Sequence, residues 1–219
     1  MNPSLAPTPL INFDHPEVAA FTDAHFSPAQ SPREQAIKLY YAVRDLIRYD
    51  PYGISISVEG LSASRVLQNN SGWCVNKAVL LAAVCRRVGI PARLGYADVR
   101  NHLSTARLRQ SMGSDIFRYH GYTTLYLDGK WVKATPAFNL SLCERFDLHP
   151  LEFDGTQDSI YHPFDLHGNQ HMEYLKFHGE YDDVPLKDIQ QAFETYYPSV
   201  NVLEGASFEA DVAEETRSQ

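Results

Sequence analysis

Gly72-Trp73-Cys74-Val75-Asn76-Lys77-Ala78-Val79-Leu80-Leu81-Ala82-Ala83-Val84-Cys85-Arg86-Arg87-Val88-Gly89-Ile90-Pro91 begins with a thiol and ends on a glycine and a proline, and what lies between decides the fold. From Val75 to Val88 apolar residues fall on every side of a helical wheel, the pattern of a helix buried all round. Gly89 is placed to cap its C-terminus, and Pro91 stops it from continuing. Cys74 therefore stands at the N-terminus of a central helix. The unpaired N–H groups and partial positive charge found there favour thiolate over thiol, and they can also hold a developing oxyanion.

Downstream, Arg93 to Val99 reads as a strand. His120 opens a second strand-like segment, Tyr122 to Leu127, which turns at Asp128-Gly129 into Trp131-Val132-Lys133 and so predicts a hairpin with a two-residue loop. A cysteine at a helix start and a histidine at a strand start are the two halves of a Cys/His catalytic pair. Upstream, Ser31-Pro32-Arg33-Glu34 supplies an N-cap, a first-turn proline and a capping-box glutamate for a helix ending near Arg48. A short helical piece around Ser64 to Leu67 leads into the polar loop Asn69-Asn70-Ser71-Gly72. Residues 103 to 112 carry no decisive pattern, the chain beyond Pro136 is rich in turns, and Leu186 to Tyr196 predicts a last helix. The first 30 residues, with five prolines, read as an irregular N-terminal arm. Residues 204–219, with four Glu, one Asp and a single Arg, read as a solvated, disordered acidic tail. One domain over residues 31–203 is expected.

At 219 residues with 44% hydrophobic content, the chain is long enough for a buried core. A net charge of −8 with scattered Lys and Arg argues against nucleic acid and anionic membrane as partners. Met1 to Phe13 has neither the basic nor the apolar region of a signal peptide, and no apolar run is long enough to span a bilayer. Three cysteines fit a reducing compartment better than a disulfide framework, so a cytoplasmic location is expected.

With Gly72-Trp73-Cys74, Gly89-Ile90-Pro91-Ala92-Arg93, His120 and Leu127-Asp128-Gly129-Lys130-Trp131-Val132 in view, the chain resembles the transglutaminase-like superfamily over about residues 60–139. The resemblance implies an α+β, papain-like fold in which the central helix carrying the cysteine packs against an antiparallel sheet. It makes Cys74 the nucleophile and His120 the base. The family's Asp-Pro-Thr after the tryptophan strand is here Thr135-Pro136-Ala137, as in a bacterial branch of the superfamily, so Thr135 stands where an aspartate is the rule. A threonine hydroxyl supplies no charge, but it can accept a hydrogen bond from the imidazole and hold the ring. Asn139 offers the same neutral role, and Asp154 or Asp158 would restore the carboxylate. The Cys74 N–H is the first oxyanion donor, with Gln68, Trp73 or Asn69 as candidates for the second.

The remaining chemistry-bearing residues have plainer readings. Cys85 lies deeper on the cysteine's helix and belongs to the core, Cys143 is structural, and Tyr126 and Trp131 are expected as core aromatics of the hairpin. The pairs Arg86/Arg87 and Arg107/Arg109 are expected on solvated faces. His162, His167, His171 and His178, with Asp165 and Glu173, offer ligand types for zinc or iron, but Gly168 and Asn169 break the one helical spacing among them, so no metal is expected. No cofactor is needed for thiol chemistry. The function expected is a cysteine protease or amidase working through a Cys74 thioester on a peptide, a protein or a small amide or thioester. The alternatives are a transglutaminase or other amide-forming acyltransferase, and a domain that has lost catalysis and binds a partner.

Overall fold

A computed structural model describes residues 2–101, 104–160, 165–168, 171–197, 203 and 205–217. In chain order the helices are α1 (Pro16–His25), α2 (Pro32–Leu46), α3 (Val58–Leu61), α4 (Ala63–Asn69), α5 (Cys74–Arg87), α6 (Ala106–Met112), α7 (Leu140–Arg145), α8 (Leu186–Tyr196) and α9 (Phe208–Thr216). The strands are β1 (Arg48–Tyr49), β2 (Ser71–Gly72), β3 (Ala92–Asn101), β4 (Ile116–Leu127), β5 (Lys130–Ala134) and β6 (Met172–Tyr181). Four of these form an antiparallel sheet in the order β5-β4-β3-β6, while β1 and β2 make a short parallel pair directly before α5.

The quoted stretch folds as its composition dictates. Every residue of α5 from Cys74 to Arg86 is buried, with β4 and β3 on one side and α1, α2 and α4 on the other. Gly89 takes φ +80°, and the N–H groups of Gly89 and Ile90 return to the carbonyls of Arg86 and Cys85, the two bonds of a Schellman end. A lysine survives in this helix because its stem is apolar and its head finds partners: Lys77 Nζ donates to the carbonyls of Arg44 (2.9 Å) and Ile47 (2.6 Å) where α2 ends. Ser31 and Glu34 form the reciprocal capping box that starts α2. The β4–β5 loop is Asp128-Gly129 with both φ angles positive, as a two-residue hairpin turn requires. The fold is thus an α+β one, a central helix against an antiparallel sheet.

Several expectations are corrected. Residues 1–30 are not an irregular arm throughout, because residues 16–25 form α1, which starts on Pro16 behind a His15 cap and packs on α5, with Leu10, Ile11 and Val18 buried. Residues 208–216 form α9 rather than a disordered tail, since Phe208 and Val212 provide the apolar face that the acidic composition concealed. Arg86 is buried, its guanidinium donating to the carbonyls of Ala6, Ala92 and Asp182, and it staples three segments together. Tyr126 and Trp131 pair across the hairpin on its outer side, where Tyr126 is 43% exposed and the Arg93 guanidinium lies over Trp131 at 4.5 Å. Residues 106–112, within the undecided stretch, form α6.

Candidate active site

Cys74 is the first residue of α5 and His120 lies inside β4, not at its start. Two close approaches bring the elements together. A Cβ on Gly121 would lie 2.9 Å from the Cα of Val75, so only a glycine lets β4 reach the first turn of α5. Just before it, Arg118 and Tyr119 together oppose the single residue Asp98 on β3, a bulge in which Tyr119 adopts φ +54°. Asp98 holds that bulge. Its carboxylate accepts from Tyr119 N–H (3.2 Å) and from Arg118 Nη1 (2.7 Å), and its Oδ1 also lies 2.7 Å from His178 Nε2. The His178 ring stacks on Tyr119 at 4.2 Å. Burial pushes the Asp98 carboxyl upward, but the bonds from His178, Arg118 and the Tyr119 N–H outweigh it and hold the group below the ordinary carboxylate range. Nothing in the local sequence around His120 announces Asp98, which arrives from the neighbouring strand.

Cys74 and His120 line one narrow apolar pocket of about 20 Å³, walled by Tyr49, Trp73, Phe117, Phe193 and Tyr197. Both are nearly closed off, with exposures of 3% and 4%. Burial pushes the Cys74 thiol up to about 12, although the N–H groups of Gly121, Val75 and Cys74 itself pull the other way. Burial also brings His120 down to about 4, helped by the like charge of nearby His171. The expectation that the helix N-terminus favours thiolate is therefore corrected: desolvation exceeds the helix contribution, and the resting pair is thiol and neutral imidazole. His171, 3% exposed, joins the site through this coupling, and no sequence signal nearby points to it.

The candidate third residues go to different places. Thr135 follows the last residue of β5, is buried, and its Oγ1 has no hydrogen-bond partner among the described residues. Asn139 is engaged elsewhere, its Oδ1 accepting from Tyr49 N–H (3.0 Å) and its Nδ2 donating to Ser141 (2.8 Å). Asp154 closes a surface turn with Thr156 and Gln157, and Asp158 accepts from the backbone and ammonium of Lys133. Of the oxyanion candidates, Trp73 lines the pocket and its indole Nε1–H is buried without a partner among the described residues, whereas Gln68 and Asn69 lie on α4 and do not line it. The late histidines separate: His167 faces Asp147 on the surface, His171 is buried with its charge felt at His120, His178 is on Asp98, and His162 lies outside the described residues. Among the described residues no His/Cys/Asp/Glu group has the arrangement of a metal site, and no helix is long and apolar enough to cross a membrane.

No curated protein matches the chain. Solved structures similar to it include a candidate cysteine protease from Cytophaga hutchinsonii (19% identity, TM-score 0.47, covering 61% of this chain and 40% of that one). They also include the arylamine N-acetyltransferase from Mycobacterium abscessus (17%, 0.42, 61% and 46%) and a candidate protease from Parabacteroides distasonis (16%, 0.38, 58% and 26%). The chain thus spans less than half the length of each. The model of the transglutaminase-like superfamily matches residues 19–136, from inside α1 to just beyond β5, and takes in Cys74, His120 and Thr135. That is more than half of the 219 residues, and the chain belongs to the transglutaminase-like superfamily.

Proposed function

We propose that the protein is a thiol-dependent amide hydrolase, a cysteine protease or amidase, with Cys74 as nucleophile and His120 as general base. The observation that carries this reading is that one buried pocket is lined by both side chains, the thiol at the N-terminus of α5 and the imidazole on β4. Because burial keeps both groups neutral, the proton leaves sulfur as the bond to carbon forms, rather than before substrate arrives. His120 takes that proton, Sγ attacks the carbonyl carbon, and the oxyanion is held by the Cys74 N–H. The imidazolium protonates the leaving nitrogen, the C–N bond breaks, and the acyl group stays on Cys74 as a thioester. Water, deprotonated by His120, then attacks the thioester, which releases the carboxylic acid and returns the thiol. Thr135 is the orienting neutral residue by its place in the family's motif, and its Oγ1 is buried without a partner among the described residues. An amine in place of water would make the same thioester that of a transglutaminase or other acyltransferase.

The test offers small activated thioesters and blocked peptide amides, with intact mass spectrometry following the protein. The expected result is an acyl adduct on Cys74 and turnover that falls at least about 10²-fold in Cys74→Ala and His120→Ala. Added amines report whether water or amine resolves the adduct. The tight closure of the pocket favours one competing reading, a domain that binds without catalysis; a folded protein forming no adduct with any acyl donor would establish that reading instead.

A further inference from the structure

Across Trp73 from the apolar pocket lies a second cavity of opposite character. It is a cleft of about 310 Å³ whose lining includes Asp50, Glu59, Arg65, Gly72, Trp73 and Asn76, so Trp73 is the wall that the two cavities share. Trp73 is the N-cap of α5 and Asn76 its third residue, which places Cys74 between them within one helical turn. Both are at least nine-tenths buried, with exposures of 5% and 6%. The Trp73 Nε1–H donor and the Asn76 Oδ1 acceptor are each buried without a hydrogen-bond partner among the described residues. A buried donor and a buried acceptor left unpaired are costly, and such groups are satisfied when a ligand brings the complementary atoms. Gly72 keeps the place open, because a Cβ there would lie 2.5 Å from Asn76 Oδ1 and push the carboxamide aside.

We infer that this cleft is an amide-binding subsite and that the substrate is an internal segment of peptide, held by its main chain in the polar cleft one wall away from Cys74. The assignment rests on the hydrolase reading given above and narrows it. An anion would meet the Asn76 oxygen and a cation the Trp73 N–H, whereas a trans amide offers a carbonyl to the indole and an N–H to the carboxamide. The charges agree. Arg65 is paired with Glu59, leaving Asp50 as excess negative charge in the lining, so a terminal carboxylate is disfavoured there.

The test measures binding in a Cys74→Ala background by titration calorimetry, so that it does not depend on turnover. The probes are N-acetylated, C-amidated hexapeptides with a central Leu, and versions truncated to a free carboxylate after that residue. Blocked peptides are expected to bind at least tenfold more tightly than the free-acid forms. Adding Trp73→Phe or Asn76→Leu, each preserving volume while removing the donor or the acceptor, is expected to weaken that binding about tenfold, with melting curves confirming that the fold is intact. Absence of binding, equal binding of blocked and free-acid peptides, or indifference to both substitutions would overturn the inference. Acylation of Cys74 by a small thioester is read separately in the unsubstituted protein. Acylation without peptide binding defeats the subsite alone, and peptide binding without acylation defeats the hydrolase alone.

Discussion

At the scale of single residues, the decisive fact is that Cys74 and His120 are held neutral by the same burial that brings them together. With His120 brought down to about 4, chiefly by desolvation and then by His171, the imidazole proposed as the base stays unprotonated down to acidic pH. The acid limb of kcat/KM is therefore expected near pH 4 rather than near the free imidazole value of about 6.5. His171→Phe, which removes the like charge but keeps the site dry, should move that limb upward. A limb already at pH 6 to 7 in the unsubstituted protein would show a solvated His120 and defeat the expectation. Stability carries the same sign. A folded pKa below the unfolded one means that the His120 contribution is present above about pH 6.5 and is lost as pH falls toward 4. Asp98 acts one step further out, by fixing the bulge that aims β4. Asp98→Asn keeps the shape but gives up the charge facing Arg118 and His178, and kcat is expected to fall by about 10² while peptide binding changes little, as when a catalytic group is misplaced by about an ångström. Equal losses in kcat and binding would assign Asp98 a merely structural role.

At the scale of elements, α5 is joined to α2 by a buried cation. Lys77 caps the end of α2 and is brought down to about 7, mainly by desolvation, with the pull of Asp45 opposing it. Its folded value lies below the unfolded one, so stability should rise with pH between about 7 and 10.5 and be lowest on the acid side. Lys77→Met is expected to flatten that rise in urea midpoints measured across the range, while lowering stability generally by leaving the Arg44 and Ile47 carbonyls unpaired. A rise of unchanged steepness would mean that the ammonium is hydrated. The elements also show where sequence suffices. The apolar run of α5, the Ser31–Glu34 box and the Asp128-Gly129 turn are local signals, and each was legible, as was the meeting of Cys74 and His120 in one pocket from their motif. α1 was obscured by the proline-rich stretch around it, and β6 by two irregularities in its pairing with β3 that break the alternation a strand is read from. Asp98 and His171 approach the site through tertiary structure alone. So does the raised thiol, because burial is a property of the packed molecule and not of the helix that bears the cysteine.

At the scale of the whole molecule, the chain's last described helix supports the walls of the site. α9 lays Phe208 edge-on against Tyr49 (5.8 Å) and Tyr52 (5.3 Å), and Tyr49 in turn lines the Cys74 pocket. Asp211 accepts from Tyr52 Oη and Arg107 Nε, both at 2.7 Å, while Glu209 pairs with Arg48 and Arg145. The Glu209 pairs are exposed and contribute little, so the attachment rests on the part-buried Asp211 and above all on the burial of Phe208 and Val212, about 1.5–3 kcal/mol each as an upper range. Removing residues 207–219 is accordingly expected to lower the melting temperature by about 10 °C, with a deficit that raised salt leaves largely unchanged because burial, unlike a surface ion pair, is not screened. The same truncation frees Tyr49 and Tyr52 from their outer support, so iodoacetamide should alkylate Cys74 faster at a temperature well below either melting point. Calorimetry and intact mass read the two effects separately. An unchanged melting temperature together with an unchanged alkylation rate would mean that α9 lies on the molecule without supporting it, and the acidic terminus would then be the solvated appendage its composition describes.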